Sequence, residues 1–143
     1  NFLRKWGKLG VRDGQFSSPV AIEVDASGNV YVADTNHHRV QVFSPEGDFI
    51  RKWGSEGAGD GQFIDLMGIA VGPSGNIYAV DTENPRVQVF SPEGRFLREW
   101  GTEGAADGQF HFPVGVAIDA SGNVYVAESG NSRVQVFDVD PTQ

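Results

Sequence analysis

No cysteine occurs in these 143 residues, which excludes disulfides, thiolate metal sites and cysteine nucleophiles. A cytosolic and a secreted origin fit that absence equally. Methionine occurs once, at Met67. No apolar run approaches the roughly 18 residues that span a bilayer as a helix, so no membrane association is expected. No signal-peptide pattern precedes the first strand, and with the chain starting at Asn1 the compartment stays open. Basic residues are scarce: 11 Lys and Arg stand against 19 Asp and Glu, a net charge of −8. Phosphate-backbone binding needs clustered cations, and an acidic surface repels nucleic acid, so no nucleic-acid partner is expected. Helical periodicity is missing throughout.

What is abundant is glycine, with 19 residues at regular intervals that read as turns. The chain repeats itself. "DGQF" begins at Asp13, Asp60 and Asp107, a constant step of 47 residues. "WG" keeps that step at Trp6, Trp53 and Trp100, as does "SGN" from Ser27, Ser74 and Ser121, and "RVQVF" from Arg39, Arg86 and Arg133. Within the first period the apolar residues alternate with period two. "PVAIEV", "VYVAD", "RVQVF" and "FIRKW" read as four strands joined by "DASGN", "TNHH" and "SPEG". Four antiparallel strands in a period of about 40–50 residues predict a β-propeller blade, and a plain β-sandwich is the alternative. The fold class is all-β. One domain spans 1–143, with repeat units at 16–53, 63–100 and 110–137 and an outer strand at 1–6.

"VYVADTNHHRVQVFSPEGDFIRKWG" closely resembles the NHL repeat, and the resemblance covers the chain three times over. It departs from the pattern at Glu128 and Ser129, where the other units have Asp34-Thr35 and Asp81-Thr82. His38 is replaced by Pro85 and Ser132 in the later units. The resemblance implies a typically six-bladed propeller, most often a protein binder, sometimes an RNA binder. A few related propellers are lyases or lactonases.

Three units make three blades, whereas known rings hold about four to eight. The third unit lacks a fourth strand, and residues 1–6 are a fourth strand without the other three. The inventory balances when Phe2, Leu3 and Trp6 of one chain complete the Val134, Val136 and Phe137 strand of another. A head-to-tail homodimer with strand exchange is therefore the expected assembly. The alternatives are half of a longer propeller and a chain made to test propeller assembly.

Strand direction puts the "TNHH" loops and the glycine-rich loops on one face, where propellers usually bind ligands around the channel. The acid–arginine pairs Asp34 with Arg39, Asp81 with Arg86, and Glu128 with Arg133 recur in every unit. They therefore read as structural pins joining loop and blade, since arginine forks match carboxylates. The candidate binding residues on this face are His37, His38 and His111. They are read as solvent-exposed loop residues rather than a metal set, because adjacent residues diverge and His111 belongs two units away. Departures between units add Lys8 and Arg12, opposite Glu56 and Glu103 of the other loops, together with Met67 and Glu23 near the channel. The three tryptophans, and Phe16, Phe63 and Phe110, read as packing between blades. No catalytic residue and no cofactor is expected, and the partners expected are a second copy and another protein. A non-enzymatic scaffold or interaction module is the preferred reading. A metal-dependent lyase or lactonase and an RNA-binding domain are the alternatives.

Overall fold

The structure, a computed structural model, describes residues 1–138. Residues 139–143, the end of the predicted 1–143 domain, lie outside the described residues. Among the described residues, eleven strands form three antiparallel sheets. The first holds β1 (Pro19–Val24), β2 (Val30–Asp34), β3 (Arg39–Phe43) and β4 (Phe49–Trp53) in sequence order. The second repeats this as β5 (Leu66–Val71), β6 (Ile77–Asp81), β7 (Arg86–Phe90) and β8 (Phe96–Trp100). The third has three strands, β9 (Pro113–Ile118), β10 (Asn123–Glu128) and β11 (Arg133–Asp138). Short turns close each hairpin. In the first, the Asp25 carboxylate accepts the N–H groups of Ser27 and Asn29, both at 2.9 Å, so a side chain takes over part of the turn's hydrogen bonding.

The second sheet buries both faces because it packs between the first and the third, each of which buries one broad face against it. One face of the first blade, carrying Tyr31, Ala33, Val40 and Val42, meets Phe63, Leu66, Ile69, Ile77 and Phe90 of the second. The second blade offers the same positions, Tyr78, Val80, Val87 and Val89, to Phe110, Val124 and Val126 of the third. Aromatic rings lock each seam: Trp53 lies 5.6 Å from Phe90, and Trp100 lies 5.4 Å from Phe137. One hydroxyl per seam adds direction. Thr35 Oγ1 donates to the Leu66 carbonyl at 2.5 Å, and Thr82 Oγ1 to the Pro113 carbonyl at 2.6 Å. Replacing Thr82 by valine keeps the shape and leaves that carbonyl without its donor. We expect a loss of about 1–3 kcal/mol, read as a lower urea midpoint at unchanged m value.

The inner strands are not regular. Register shifts between Pro19 and Ala21, between Leu66 and Gly68, and between Pro113 and Gly115 leave Val20, Met67 and Val114 as bulge residues. A bulge bends its strand and re-aims the side chain it carries. It sits at the same place in all three blades.

Residues 2–6 make no ladder among the described residues, yet they hold a defined place. Trp6 packs 5.8 Å from Phe43, as Trp53 does on Phe90. Arg4 donates to the Pro45 carbonyl at 2.7 Å, as Arg51 does to the Pro92 carbonyl at 3.0 Å. Gly47 shows how close this fit is: it has φ of 95°, and a Cβ there would lie 2.8 Å from the Trp6 ring. Gly94 stands in the same relation to Trp53. The segment therefore lies on the first blade as an outer strand lies on the next blade along. At the other end, among the described residues, β11 pairs only with β10. Val134 is 62% exposed there, whereas its counterparts Val40 and Val87 are fully buried.

Candidate functional site

The loop face is built from the first residues of β3, β7 and β11 and the last residues of β2, β6 and β10. In the first blade, Asp34 ends β2 with its side chain fully buried. Its carboxylate accepts the Ser17 N–H at 2.8 Å, Arg39 Nε at 2.9 Å and the His37 ring at 2.9 Å. The rest of the Arg39 fork donates to the carbonyls of Val11 and Gln15, each at 2.8 Å. Gln41 adds a bond to the Gln15 carbonyl at 2.7 Å and accepts the Gly14 N–H at 2.9 Å. The acid, the arginine and the glutamine thus bind the "DGQF" loop to its blade. Each group is satisfied internally, as buried polar atoms must be.

The third blade does the same with a longer acid. Glu128 accepts the His111 N–H, Asn131, Arg133 and Gln135 at 2.7–3.0 Å. Burial pushes its carboxyl up, but the bonds from Arg133, Asn131, Gln135 and the His111 N–H outweigh that and hold it below the ordinary value. In the second blade the expected close pair is loosened. Asp81 accepts the N–H groups of Ile64 and Asp65, at 3.0 and 2.9 Å, and Arg86 stands 3.9 Å away. Glu99 is the reason: it draws Arg86 into a 2.6 Å contact, leaving Arg86 Nε buried without a partner. The first blade has Lys52 at that position, which pairs instead with Asp13 at 2.6 Å.

The histidines sit on this face but do not converge. His37 is held by Asp34, and His38 turns its ring to the Ile64 carbonyl at 3.0 Å. Both side chains are about three-quarters covered, against the expectation of solvent-exposed loop residues: His37 lies against Asp34 of its own blade, and His38 against Ile64 of the next. His38 has φ of 53°, a left-handed backbone that closes the short turn over Thr35–His37. His111 lies elsewhere, more exposed, at 3.0 Å from Glu103. Among the described residues no three or more His, Asp or Glu come together as metal ligands would. A groove of about 570 Å³ runs between the first two blades, lined by Val11, Asn36, His38, Lys52, Trp53 and Glu56. Lys8 and Arg12 are exposed on the loop beside it, where their carbonyls accept Phe16 and Gln15. Glu23 lies across the ladder from Tyr31 and accepts its neighbour's N–H at 3.2 Å. Met67 is the bulge residue of β5.

Two further residues on this face escaped the sequence reading. Asp65 is half-buried, and burial raises its carboxyl above the ordinary value, with the Asp81 charge adding to that and His38 opposing it. Phe112 is 46% exposed with φ of 50° and stacks edge-on to His111 at 5.2 Å. They occupy one repeat position, whose first member is Ser18. Aligning the units residue by residue marks it as a place where each carries different chemistry.

The NHL repeat pattern matches residues 16–43, 67–90 and 110–137, more than half of the chain. The chain belongs to the NHL-repeat family. Among curated relatives, the B-box type zinc finger protein ncl-1 of Caenorhabditis elegans is 51% identical over 43 residues, which is 30% of this chain and 5% of that protein. The brain tumor protein of Drosophila melanogaster is 49% identical over 43 residues, again 30% of this chain, and 4% of its own length. This NHL-repeat chain therefore matches only a small part of those relatives. The WD40 β-propeller domain of Doa1 superposes with a TM-score of 0.58 at 17% identity, covering 80% of this chain and 34% of that one. A streptogramin B lyase superposes with a TM-score of 0.60 at 12% identity, covering 83% and 40%. These likenesses identify the blades as propeller blades.

Proposed function

We propose that this NHL-repeat chain is a non-enzymatic β-propeller scaffold or protein-interaction module that self-assembles into a closed ring. The observation that carries the reading is how the loop-face acids are used. Asp34 and Glu128 each spend their oxygens on an arginine fork and backbone N–H groups that hold the loops. A rigid ring displaying loops of differing chemistry is what recognition of another protein needs. Self-assembly is supported by the two apolar faces the chain leaves open, one on the first blade and one on the third.

The second reading is a metal-dependent propeller enzyme, favoured by the likeness to the lyase and by the half-buried Asp65 beside His38. Native mass spectrometry, with one equivalent each of zinc, manganese and calcium, tests both parts of the proposal. The expected species is two chains of 15.4 kDa with no retained ion. A species with one ion per chain, lost on Asp65→Asn, would establish the second reading instead. A single-chain species at micromolar concentration would remove the ring.

A further inference from the structure

The chain carries two exposed faces made of the same residues that form its buried seams. On the first blade, Ile22 and Val24 are exposed, while Ile69, the counterpart of Ile22, is buried against the preceding blade and Val71, the counterpart of Val24, is partly buried there. On the third blade, Tyr125, Val134 and Val136 are exposed, while Tyr31, Val40 and Val42, and equally Tyr78, Val87 and Val89, are buried against the following blade. One open face is therefore the donor half of a seam and the other is the acceptor half. The two halves do not meet within one chain, since Phe2 and Leu3 at one end and Val134 and Val136 at the other are all exposed.

We propose that the occupant of each open face is a second copy of this chain, and that residues 2–6 of one copy extend the third sheet of the other in a single register. This rests on the self-assembly reading above and specifies its contacts. The register follows from the second blade, where Val87 faces Trp100, Gln88 faces Glu99, Val89 faces Arg98 and Phe90 faces Phe96. Shifted by the repeat step, Val134 faces Trp6, Gln135 faces Lys5, Val136 faces Arg4 and Phe137 faces Phe2 of the second copy. Trp6 is already seated for this, since it lies on Phe43 as Trp53 lies on Phe90.

Two polar contacts complete the seam. Lys52 bridges to Asp13 within the first blade, so Lys5 of the second copy meets Asp107, the Asp13 counterpart. The charges at that seam are complementary. Ser129 holds the position of Thr35 and Thr82, whose hydroxyls reach the next blade's carbonyl. In the free chain Ser129 turns its hydroxyl back to the Phe112 carbonyl at a long 3.3 Å. In the ring it donates to Pro19 of the second copy, the counterpart of Leu66. Two copies supply six blades and two identical seams related by a two-fold axis, which closes the ring, covers both open apolar faces and gives the third sheet its fourth strand.

The absence of native cysteine makes the register directly testable. Arg4→Cys combined with Val136→Cys places thiols on facing residues, while Arg4→Cys combined with Val134→Cys places them two residues out of step. All three side chains are exposed in the free chain, so the blades fold without them. Under mild oxidation the in-register pair is expected to form a covalent two-chain species about tenfold faster than the other pair, because disulfides tolerate only short Cα separations. Light scattering is run on the reduced samples. A dimer that cross-links equally well in both variants, or in neither, overturns the register and leaves self-assembly standing. A monomer with no cross-link overturns both. A one-chain disulfide species means closure within a single chain and overturns the second copy. Independently, Lys5→Asp and Asp107→Lys are each expected to weaken association about 2–5-fold and, combined, to restore it.

Discussion

Replacing Phe90 by alanine is expected to destabilise the chain by about 3–5 kcal/mol, the range for removing a large aromatic from a close-packed core. Phe90 is fully buried and touches three rings from three different strands or loops: Trp53 at 5.6 Å, Phe63 at 5.8 Å and Phe96 at 6.1 Å. Their tilted and edge-on arrangements contribute beyond the area they bury. Trp53 belongs to the preceding blade, so the substitution opens a hole in a seam and cannot be repaired by one sheet relaxing. Against a typical stability of about 5–15 kcal/mol this is a large fraction. Urea unfolding followed by tryptophan fluorescence reads it, since Trp53 reports on the same contact. Phe112→Ala is the control. Phe112 is exposed at a left-handed backbone angle, so its loss is expected to change stability by less than about 0.5 kcal/mol. Equal effects from the two substitutions would mean that the seams do not carry the fold.

The strands were legible because period-two alternation, β-branched residues and glycine turns all agree. "PVAIEV", "VYVAD", "RVQVF" and "FIRKW" become β1 to β4 with the bounds read from the sequence. The inter-blade role of the tryptophans was legible too, because they end outer strands at a fixed step. The bulges at Val20, Met67 and Val114 were not. A bulge is a property of two strands in register, and neither strand alone records it. The loosened Asp81–Arg86 pair was also hidden. "RVQVF" is the same string in all three units, and what moves Arg86 is Glu99, thirteen residues away on a neighbouring strand. Asp65 and Phe112 were missed for a simpler reason. The motifs that carry the repeat are its constant positions, and a recognition surface is drawn from the variable ones.

That division separates what the acid–arginine pins do from what the face displays. The constant acids hold the loops, and the variable residues above them differ from unit to unit. In a two-fold ring each variable position would appear twice, so a partner would meet His37, Asp65 and Phe112 in two equivalent sets. Binding of such a partner would then depend on loops held still by groups it never touches.

Asp34→Ala removes the first of those pins and is expected to cost about 3–5 kcal/mol, the range for breaking one half of a buried ion pair. Arg39 is nearly buried, so it would keep its charge with only loop carbonyls around it, and the Ser17 N–H would lose its acceptor. Asp34→Asn keeps an acceptor oxygen and the side-chain volume but not the charge, so it is expected to cost clearly less. Ordering the two variants by urea midpoint tests the electrostatic part separately from the steric part. Asp81→Ala provides the comparison within the same chain. Arg86 stands 3.9 Å from Asp81 and already has Glu99 at 2.6 Å, so the guanidinium stays paired when Asp81 is lost. What Asp81→Ala does lose is the acceptor for the part-buried N–H groups of Ile64 and Asp65, about 1 kcal/mol for each bond. Hydrogen exchange distinguishes the two mechanisms. Asp34→Ala is expected to speed exchange at Gly14 and Gln15, because Arg39 no longer holds that loop in place. Asp81→Ala is expected to speed it at Ile64 and Asp65 while the Gly61 and Gln62 loop stays protected by Arg86 and Gln88. If both variants loosened their "DGQF" loops alike, the acids themselves, rather than the arginines, would be what fixes the loop face.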